Sequence, residues 1–326
     1  MSKGSILFIS KRRDAASTRY RIFQYWHYLQ DRGWSLAYHP ATESRIGLVK
    51  KSAQADIVVI QRRLFDPITL ALLHAVNGNI VFDYDDAIFL NDDGSPSSRR
   101  QQRFSKTTER AKLCLAGNSY LASHSQGRQT VVFPTTVELA KYQNLPRRTA
   151  SPVLTLVWVG SRSTSRYLEQ YRTTLETLGR EIADVELKVI GDFTIDFAGL
   201  STRCVPWTAE GEIAELANAD IGIAPMTDDP WTRGKCALKV IQYMACGLPV
   251  ISSNCGANAE VIVDGQTGIL VSTPEQWLEA VKTLGNGALR ERMGKAGLER
   301  AKTHYSAETL AEKMDGLFTE MLAAQD

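Results

Sequence analysis

The segment RGKCALKVIQYMACGLPVISS joins an apolar, helix-compatible run to two lysines at its start. Lys235 and Lys239 are one helical turn apart. Gly247 fits a C-terminal stop, and Pro249 cannot continue the helix. A well-capped amphipathic helix explains the apolar residues but not the lysines. Because ammonium groups attract anions, the segment predicts a phosphate-binding site at the start of this helix.

A second anion-binding pattern follows the apolar run LTLVWV. The chain turns at Gly160 and Ser161, Arg162 comes next, and a helix is expected to begin near Ser163 or Thr164. Bare backbone N–H groups and the helix dipole at such a turn favour a phosphate. The same residues also fit ordinary helix capping, so the turn by itself leaves both interpretations open.

Carboxylates end an apolar run in the first half of the chain. Asp83, Asp85 and Asp86 lie together in DYDDAIF. Carboxylates at a strand end could accept the proton of an attacking hydroxyl or stabilise a cationic transition state. Asp85 is the first candidate for this catalytic role and Asp86 the second. The alternative is that they cap a turn or pair with nearby arginines.

Basic residues dominate the first half of the chain. Residues 1–150 carry 22 Lys+Arg and 12 Asp+Glu, a net charge of +10, and the remainder carries 16 and 24, a net charge of −8. One basic cluster is ISKRRDAASTRYRIF and another is SSRRQQRFSKTTERAK, from Ser97. A solvated surface is the alternative, but the first cluster predicts contacts to a phosphate or another anionic ligand from Arg12, Arg13, Arg19 and Arg21.

These residues stand at the ends of apolar runs that alternate with helix-compatible stretches, such as RYRIFQYWHYLQDRG ending at Gly33. That alternation indicates βαβ units and parallel sheets. Polar side chains at carboxyl ends of such strands are candidate ligand-binding residues. The predicted strand runs are SILFIS, SLAYHP, ADIVVIQ, NIVFDYD, KLCLAGN, TVVFPT, LTLVWVGS, ELKVIGD, ADIGIAPM and PVISS.

The polar stretch LPRRTASP, Leu145 to Pro152, is the best linker candidate. It divides the chain into an N-terminal domain, residues 1–148, and a C-terminal domain, residues 149–306. A C-terminal helix from about 307 to 326 either stays with the second domain or packs back on the first. With two doubly wound domains in tandem, the natural site is the cleft between them.

Several classes of protein are disfavoured by the sequence. It contains no apolar stretch of membrane-spanning length, and its start, MSKGSILFISKRRD, turns to charge too early for a signal peptide, so we expect a cytoplasmic protein. Five cysteines without a CxxC pair and five scattered histidines favour neither disulfides nor a metal site. No GxGxxG motif with a downstream acidic residue follows the first strand, which argues against a dehydrogenase.

The run ADIGIAPMTDDPWTRGKCALKVIQYMACGLPVISSNCGANAEVIVDGQTGILV resembles the donor-binding segment of nucleotide-sugar glycosyltransferases of the GT-B fold, glycosyltransferase family 4 (group 1). The pieces NIVFDYDDAIF, LAGNSYLASH, VVFPTTVELAKY and VWVGSRST resemble the same family, so the likeness covers most of the chain. It implies an α/β protein with two doubly wound Rossmann-like domains facing each other across a cleft.

The resemblance also implies roles for particular residues. The donor diphosphate would be met by Gly160, Ser161, Arg162 and Thr164 and neutralised by Lys235 and Lys239. Gln242 stands where a ribose-binding glutamate is usual, and Glu260 resembles the later acidic residue of the family. Many members carry two glutamates where this chain has Gly234 and Gln242.

The implied function is transfer of a hexose-type sugar from a nucleotide diphosphate sugar to a glycan or lipid-linked acceptor, with retention inferred from the family alone. It would serve cell-envelope or exopolysaccharide biosynthesis, without metal, cofactor or nucleic acid, from the cytoplasm or the inner face of an anionic plasma membrane. Two alternatives remain open. One is a nucleotide-sugar 2-epimerase of the same fold, and the other is a non-catalytic sugar-nucleotide-binding module, which Gly234 and Gln242 favour.

Overall fold

The computed structural model describes residues 3–143, 145 and 151–324. The chain forms two compact units. Unit 1 consists of Met1–Val137, Asp229–Cys236 and Ser306–Asp326, and unit 2 of Glu138–Asp228 and Ala237–Tyr305. Most of the predicted linker, with the predicted boundary between residues 148 and 149, lies outside the described residues. The segment Asp229–Cys236, which the sequence assigned to the second domain, belongs to unit 1.

In the described part of unit 1, six parallel strands form the central sheet. Their order is β2-β1-β3-β4-β5-β6, and β3, β4 and β5 are buried at every residue, as expected for a sheet covered on both faces. Chain order reverses between β1 and β3, where open sheets of this kind bind ligands. The strands are β1 (Gly4–Ser10), β2 (Trp34–Pro40), β3 (Ile57–Gln61), β4 (Ile80–Tyr84), β5 (Leu113–Ala116) and β6 (Thr130–Val132).

Within residues 151–228 and 237–305, six further parallel strands form the sheet of unit 2. Their order is β12-β11-β10-β7-β8-β9, so chain order reverses between β7 and β10. The strands are β7 (Leu154–Val159), β8 (Val185–Gly191), β9 (Ser201–Pro206), β10 (Ile221–Ala224), β11 (Val250–Ser253) and β12 (Gly268–Val271).

Helices connect the strands and cover the sheets. They are α1 (Ala16–Arg21), α2 (Trp26–Asp31), α3 (Arg45–Ser52), α4 (Pro67–Val76), α5 (Ser98–Arg110), α6 (Ser119–Ser123), α7 (Arg166–Gln170), α8 (Arg172–Glu181), α9 (Glu212–Ala217), α10 (Pro230–Arg233), α11 (Leu238–Ala245), α12 (Gly256–Val261), α13 (Pro274–Thr283), α14 (Gly287–His304) and α15 (Ala307–Ala323). Short 3-10 helices span Phe23–Tyr25, Leu139–Tyr142 and Arg162–Thr164. Among the described helices, none combines the length and the hydrophobicity that a bilayer-spanning segment needs.

All ten predicted strand runs coincide with strands, but β9 and β12 were not predicted. β9 lies at the sheet edge and has no fully buried residue, so it lacks an apolar run. The predicted helix that ends at Gly33 is interrupted, because Ile22 leaves helical geometry with φ −126° between α1 and the following 3-10 helix.

The C-terminal helix α15 is part of the core of unit 1. Trp34 donates a hydrogen bond from its indole nitrogen to Asp315 at 2.8 Å, and its ring meets Phe318 edge-on. A β-bridge between Val137 and Ser306 precedes the helix. The buried face of α15 consists of Ala307, Leu310, Ala311, Met314, Phe318 and Met321.

Candidate functional site

In unit 2 the carboxyl ends of β7 and β10 are joined through the hydroxyl of Tyr243 from α11. This hydroxyl accepts a hydrogen bond from the backbone N–H of Val159 at 3.1 Å and donates one to the carbonyl of Ile223 at 3.3 Å. The ring packs so closely on Gly222 that a Cβ there would lie 2.3 Å from it. Helix α11 is thereby anchored at the reversal of strand order, the expected ligand position in an open sheet.

The turn after β7 is tight and exposed. A Cβ on Gly160 would lie 2.4 Å from the Trp158 ring and 2.6 Å from Thr164 Oγ1, so this position requires glycine. Ser161 Oγ contacts Ser163 Oγ at 2.8 Å, and Thr164 Oγ1 donates to the Ser161 carbonyl at 2.9 Å. Hydroxyl groups therefore crowd this strand end and face solvent at Ser161 and Ser163.

Arg162 lies in the same turn, and its backbone and side chain both contact Asp192. Its backbone N–H donates to Asp192 Oδ1 at 2.7 Å, and its guanidinium contacts the Asp192 carbonyl at 3.4 Å. The side chain remains exposed. Asp192 directly follows β8 and orders the turn. It was not identified as a site residue from the sequence, although it is the polar last residue of the predicted strand run ELKVIGD.

Lys239 is the chemically unusual residue of unit 2. It lies in the first turn of α11, and its ammonium is 4.2 Å from the centre of the Trp158 ring. Within residues 3–143, 145 and 151–324 it makes no ion pair or hydrogen bond. Burial lowers the pKa of Lys239 to about 7, because no carboxylate compensates the desolvation of its charge.

Two further donors near this lysine lack partners in the described part of the chain. They are the buried indole nitrogen of Trp158 and the buried side-chain nitrogen of Gln242. Gln242 is three residues from Lys239 in α11, so the two share a helix face. Buried donors without acceptors are costly.

Glu260 is an exposed residue of α12. Its backbone carbonyl accepts a hydrogen bond from Arg300 at 3.2 Å, and Arg300 also binds the Val261 carbonyl at 2.7 Å. The end of α12 is thus anchored.

Lys235 does not share a helix with Lys239, contrary to the sequence prediction. α10 ends at Arg233 and α11 begins at Leu238, with Ala237 in left-handed geometry at φ 52° between them. Lys235 belongs to unit 1, where its ammonium lies 2.9 Å from Asp86 Oδ1 and 4.2 Å from the centre of the Trp231 ring. The predicted pair of lysines is therefore divided between the two units.

Asp85 and Asp86 stand beyond β4 in a network of cations. Asp86 is bound by Lys235 and, at 2.5 Å, by Arg62, whereas Asp85 is 3.4 Å from Arg62 Nε and 3.5 Å from Gln61 Nε2. Burial opposes the charge of Arg62, but the two aspartates outweigh it and raise the pKa of the guanidinium. Asp86 is thus committed to two ion pairs, and Asp85 is the less engaged carboxylate.

Glycines allow the segment Asp229–Cys236 to close on these carboxylates. A Cβ on Gly234 would lie 2.6 Å from Ala87 Cβ and 2.9 Å from its backbone nitrogen. A Cβ on Gly117, after β5, would lie 2.3 Å from Cys236 Sγ. Asn118 also donates to the carbonyls of Arg233 and Lys235, at 2.9 and 2.8 Å. A glutamate in place of Gly234 therefore has no room in this arrangement.

The four predicted ligand-contacting arginines have different environments. Arg21 is 1% exposed and is hydrogen-bonded to the Asp83 carboxylate and to the Phe133 carbonyl, so its predicted ligand contact is wrong: it is a core ion pair. Arg12 pairs with Asp14 at 3.0 Å on the surface. Arg13 and Arg19 are exposed and stack on aromatic rings, 4.7 Å from Phe23 and 5.4 Å from Tyr20.

A basic pocket of about 770 Å³ lies in unit 1 between residues that follow β1 and β3 and residues of α5. Lys11 and the second predicted basic cluster contribute to it, whereas Arg12, Arg13, Arg19 and Arg21 do not line it. Arg62 and Arg63 were missed by the sequence analysis. Their signal was an arginine pair placed directly after the apolar run ADIVVIQ.

Comparison with known proteins finds sequence similarity to glycosyltransferases in the second half of the chain. Residues 148–286 match the family model of glycosyl transferases group 1. A D-inositol 3-phosphate glycosyltransferase from Paenarthrobacter aurescens is 29% identical over 136 residues, 37% of this chain and 32% of that protein. The first curated relatives are matched over only 18% to 32% of their own lengths.

Solved structures resemble nearly the whole chain at low sequence identity. Sucrose-phosphate synthase from Thermosynechococcus elongatus superposes with a TM-score of 0.73 at 15% identity, covering 98% of this chain and 99% of that one. HepE from Anabaena, in complex with UDP and glucose, superposes with a TM-score of 0.69 at 14% identity, covering 97% and 100%. The chain therefore has the GT-B fold, and its residues 148–286 are similar to the group 1 glycosyl transferases.

Proposed function

We propose that this protein is a glycosyltransferase that moves a sugar from a nucleotide diphosphate sugar to a hydroxyl group of an acceptor. The observation that carries the proposal is Lys239, an ammonium without a partner among the described residues, held over Trp158 at the reversal of strand order in unit 2. A diphosphate would supply the charge that this lysine lacks. Donor binding in unit 2 is also supported by the exposed hydroxyl-rich turn after Gly160.

The donor is proposed to be a uridine diphosphate sugar, because HepE is known in complex with UDP and with UDP-glucose. Ser161, Thr164 and Lys239 would bind the diphosphate, and Gln242 would hydrogen-bond a hydroxyl without the charge that a glutamate provides. Exposed Arg162 and Glu260 would contact outer parts of the donor. Retention of anomeric configuration remains a proposal from family resemblance.

Catalysis is proposed to rest on neutralising the leaving diphosphate and on positioning the acceptor hydroxyl. Lys239 supplies the positive charge for the first role, so no metal is required by the proposal. Asp85 would accept the proton of the acceptor hydroxyl, while Asp86 holds Lys235 and Arg62 in place. Asp85→Asn should reduce turnover without abolishing donor binding, and chelation of metals by EDTA should leave turnover unchanged.

A thermal-shift panel of nucleoside diphosphates and their sugars tests donor binding, since a ligand of the native state raises the melting temperature. UDP and one UDP-sugar should stabilise the protein, and Lys239→Met should reduce the effect. No rise with any nucleotide near a millimolar would contradict the proposal. Consumption of the UDP-sugar without an acceptor, giving its 2-epimer, would indicate the epimerase, and binding with no turnover would indicate the binding module.

The acceptor is proposed to be a glycan or a lipid-linked precursor in cell-envelope or exopolysaccharide biosynthesis, approached at an anionic membrane. In unit 1, α3 and α4 pack side by side and expose apolar residues at Ile46 (81%), Ile68 (64%), Leu72 (41%) and Val76 (38%). The last three follow at four-residue steps along one helix face. Exposed Lys50 and Lys51 on α3 add charge that suits anionic lipid.

Vesicle flotation tests this membrane contact. The protein should float with vesicles that contain phosphatidylglycerol and not with phosphatidylcholine alone. Ile68→Ser combined with Val76→Ser should reduce flotation, whereas Val132→Ser, at 37% exposure elsewhere in unit 1, should not. Equal flotation of both variants would contradict the assignment of α4 as the docking face.

A further inference from the structure

The basic pocket of unit 1 lies where its strand order reverses. Lys11 follows β1, Arg62 and Arg63 follow β3, and the opposite wall comes from Ser97 and the first turns of α5. Its volume of about 770 Å³ falls in the range of small-molecule sites, about 300 to 1,000 Å³. The carboxyl ends of parallel strands on either side of such a reversal form the usual ligand crevice of an open sheet.

The charges lining this pocket are strongly unbalanced. Among the described lining residues, Asp92 alone is acidic, and it pairs with Arg100 at 3.0 Å. The charge of Arg62 is neutralised by ion pairs with Asp85 and Asp86. The six cations are Lys11, Arg62, Arg63, Arg99, Arg100 and Arg103.

Four of these cations have no counter-charge. In the described ranges, the side chains of Lys11, Arg63, Arg99 and Arg103 make no ion pair or hydrogen bond. Arg63 Nε is moreover fully buried and lacks an acceptor, while its guanidinium lies 5.8 Å from the Phe65 ring. A buried guanidinium nitrogen without a partner is costly, so the pocket is built for a ligand that accepts hydrogen bonds and carries negative charge.

We propose that this pocket binds a phosphate or diphosphate group of the acceptor. This inference rests on the proposed function, because it gives the acceptor its chemical class. A phosphate monoester carries about 1.5 to 2 negative charges near neutral pH and a diphosphate more, whereas a single carboxylate would leave most of the four cations uncompensated. Arginine forks hold two phosphate oxygens at once, which suits three unpaired arginines around one group.

Titration calorimetry with inorganic pyrophosphate tests the pocket directly. UDP is kept at saturation throughout, so that the donor site in unit 2 is occupied. Arg63→Gln combined with Arg103→Gln should weaken pyrophosphate binding by about tenfold or more, since two charge-assisted contacts are lost. The matched control is Lys106→Gln combined with Arg110→Gln, which removes the same charge from α5 outside the pocket and should change the affinity less than about twofold.

If both double variants lose the same affinity for pyrophosphate, the effect is one of net charge and the proposal is overturned. Unchanged pyrophosphate affinity in the Arg63→Gln, Arg103→Gln variant would also overturn it. The affinity for UDP separates the two hypotheses. If UDP binds none of the proteins while pyrophosphate still distinguishes the pocket variant from the control, the proposed function fails and the anion site stands. If UDP binds all proteins equally and pyrophosphate binds none, only the acceptor inference fails.

Two arms identify the source of the phosphate. One uses neutral phosphatidylcholine vesicles that contain a few per cent of a polyprenyl diphosphate, and the other uses a soluble hexose 6-phosphate. Retention on the vesicles that is lost in the pocket variant assigns a lipid-linked acceptor. Binding of the hexose phosphate alone, with the same loss, assigns a soluble phosphosugar, and loss in neither arm overturns the proposal.

Discussion

Lys239 shows how burial and isolation tune a single side chain. In an exposed lysine, water solvates the ammonium and stabilises its charge. At the start of α11 the ammonium of Lys239 instead contacts the face of the Trp158 ring, which attracts cations but carries no negative charge to neutralise them. The pKa of about 7 follows from burial alone. Since a bound diphosphate favours the ammonium form, binding should take up a proton when the free protein holds Lys239 neutral.

We therefore expect UDP affinity to depend on pH. Below pH 7 the free lysine is already protonated, and above it the affinity should fall by up to about tenfold per pH unit, until the pKa of the bound state is reached. Calorimetry from pH 6 to pH 9 on the native protein and on Lys239→Met measures this. UDP's own ionisation affects both alike, so identical pH profiles would contradict the role of Lys239.

The role of Gly234 is steric, because the absence of a side chain lets the segment Asp229–Cys236 pack against Ala87. Gly234→Ala should lower the free energy of unfolding by about 1 to 3 kcal/mol, because the new methyl group overlaps Ala87. Urea denaturation measures the change. The control is Gly316→Ala on α15, where a Cβ meets nothing within 4 Å and should stabilise the helix by about 0.5 to 1 kcal/mol. A Gly234→Ala protein of native stability would refute the steric explanation.

At the scale of elements, helices α10 and α15 tie distant parts of the chain to unit 1. α10 begins at a capping box formed by Asp229 and Thr232 and leads to the Lys235–Asp86 ion pair. α15 packs Phe318 edge-on against Trp34 of β2, in the core cluster of unit 1. Both elements are remote in sequence from the rest of unit 1, and α15 completes its core.

Phe318→Ala should therefore destabilise the protein by about 3 to 5 kcal/mol, the usual cost of truncating a fully buried phenylalanine. The neighbouring exposed residue provides the control, since Thr319→Ala should stay within about 0.5 kcal/mol. Urea unfolding followed by circular dichroism compares the two. Similar small effects would mean that α15 adds little to the core of unit 1.

On the scale of the whole molecule, each unit has its own reversal of strand order, with different chemistry at each. In unit 2 the reversal is marked by Lys239, by side-chain donors without partners among the described residues, and by exposed hydroxyl groups. In unit 1 it is marked by a pocket lined with several arginines, of which Arg62 forms ion pairs with aspartates. Residues 1–150, which include all the described strands of unit 1, carry a net charge of +10, whereas residues 151–326, which include those of unit 2, carry −8. Two anionic ligands of different structure should accordingly select different units.

Hydrogen exchange with mass spectrometry should show two separate footprints. UDP should protect the turn around Gly160 and the start of α11, and pyrophosphate added with UDP present should protect the residues after β3 and the start of α5. Slower exchange arises where a ligand stabilises local structure. Protection of α5 by UDP alone, or no additional protection by pyrophosphate, would contradict the separate assignment of the two sites.

The sequence determined the parts of this protein that depend on local pattern. Ten strands, the family resemblance, the glycine turn after β7 and the lysine at the start of α11 all follow from short runs whose periodicity or residue type carries its own physical meaning. The edge strand β9 was missed because an exposed edge imposes no continuous apolar run.

Only the tertiary structure decided which charges are free. Arg21 and Lys235 look like ligand contacts in sequence, yet they are paired with Asp83 and Asp86, which are 62 and 149 residues away. Arg63 and Arg103 resemble any surface arginines until the fold brings them to one pocket, where the lining carboxylate of Asp92 pairs with Arg100 instead. Pairing depends on distances between residues far apart in the chain, and the path of the folded chain alone sets those distances.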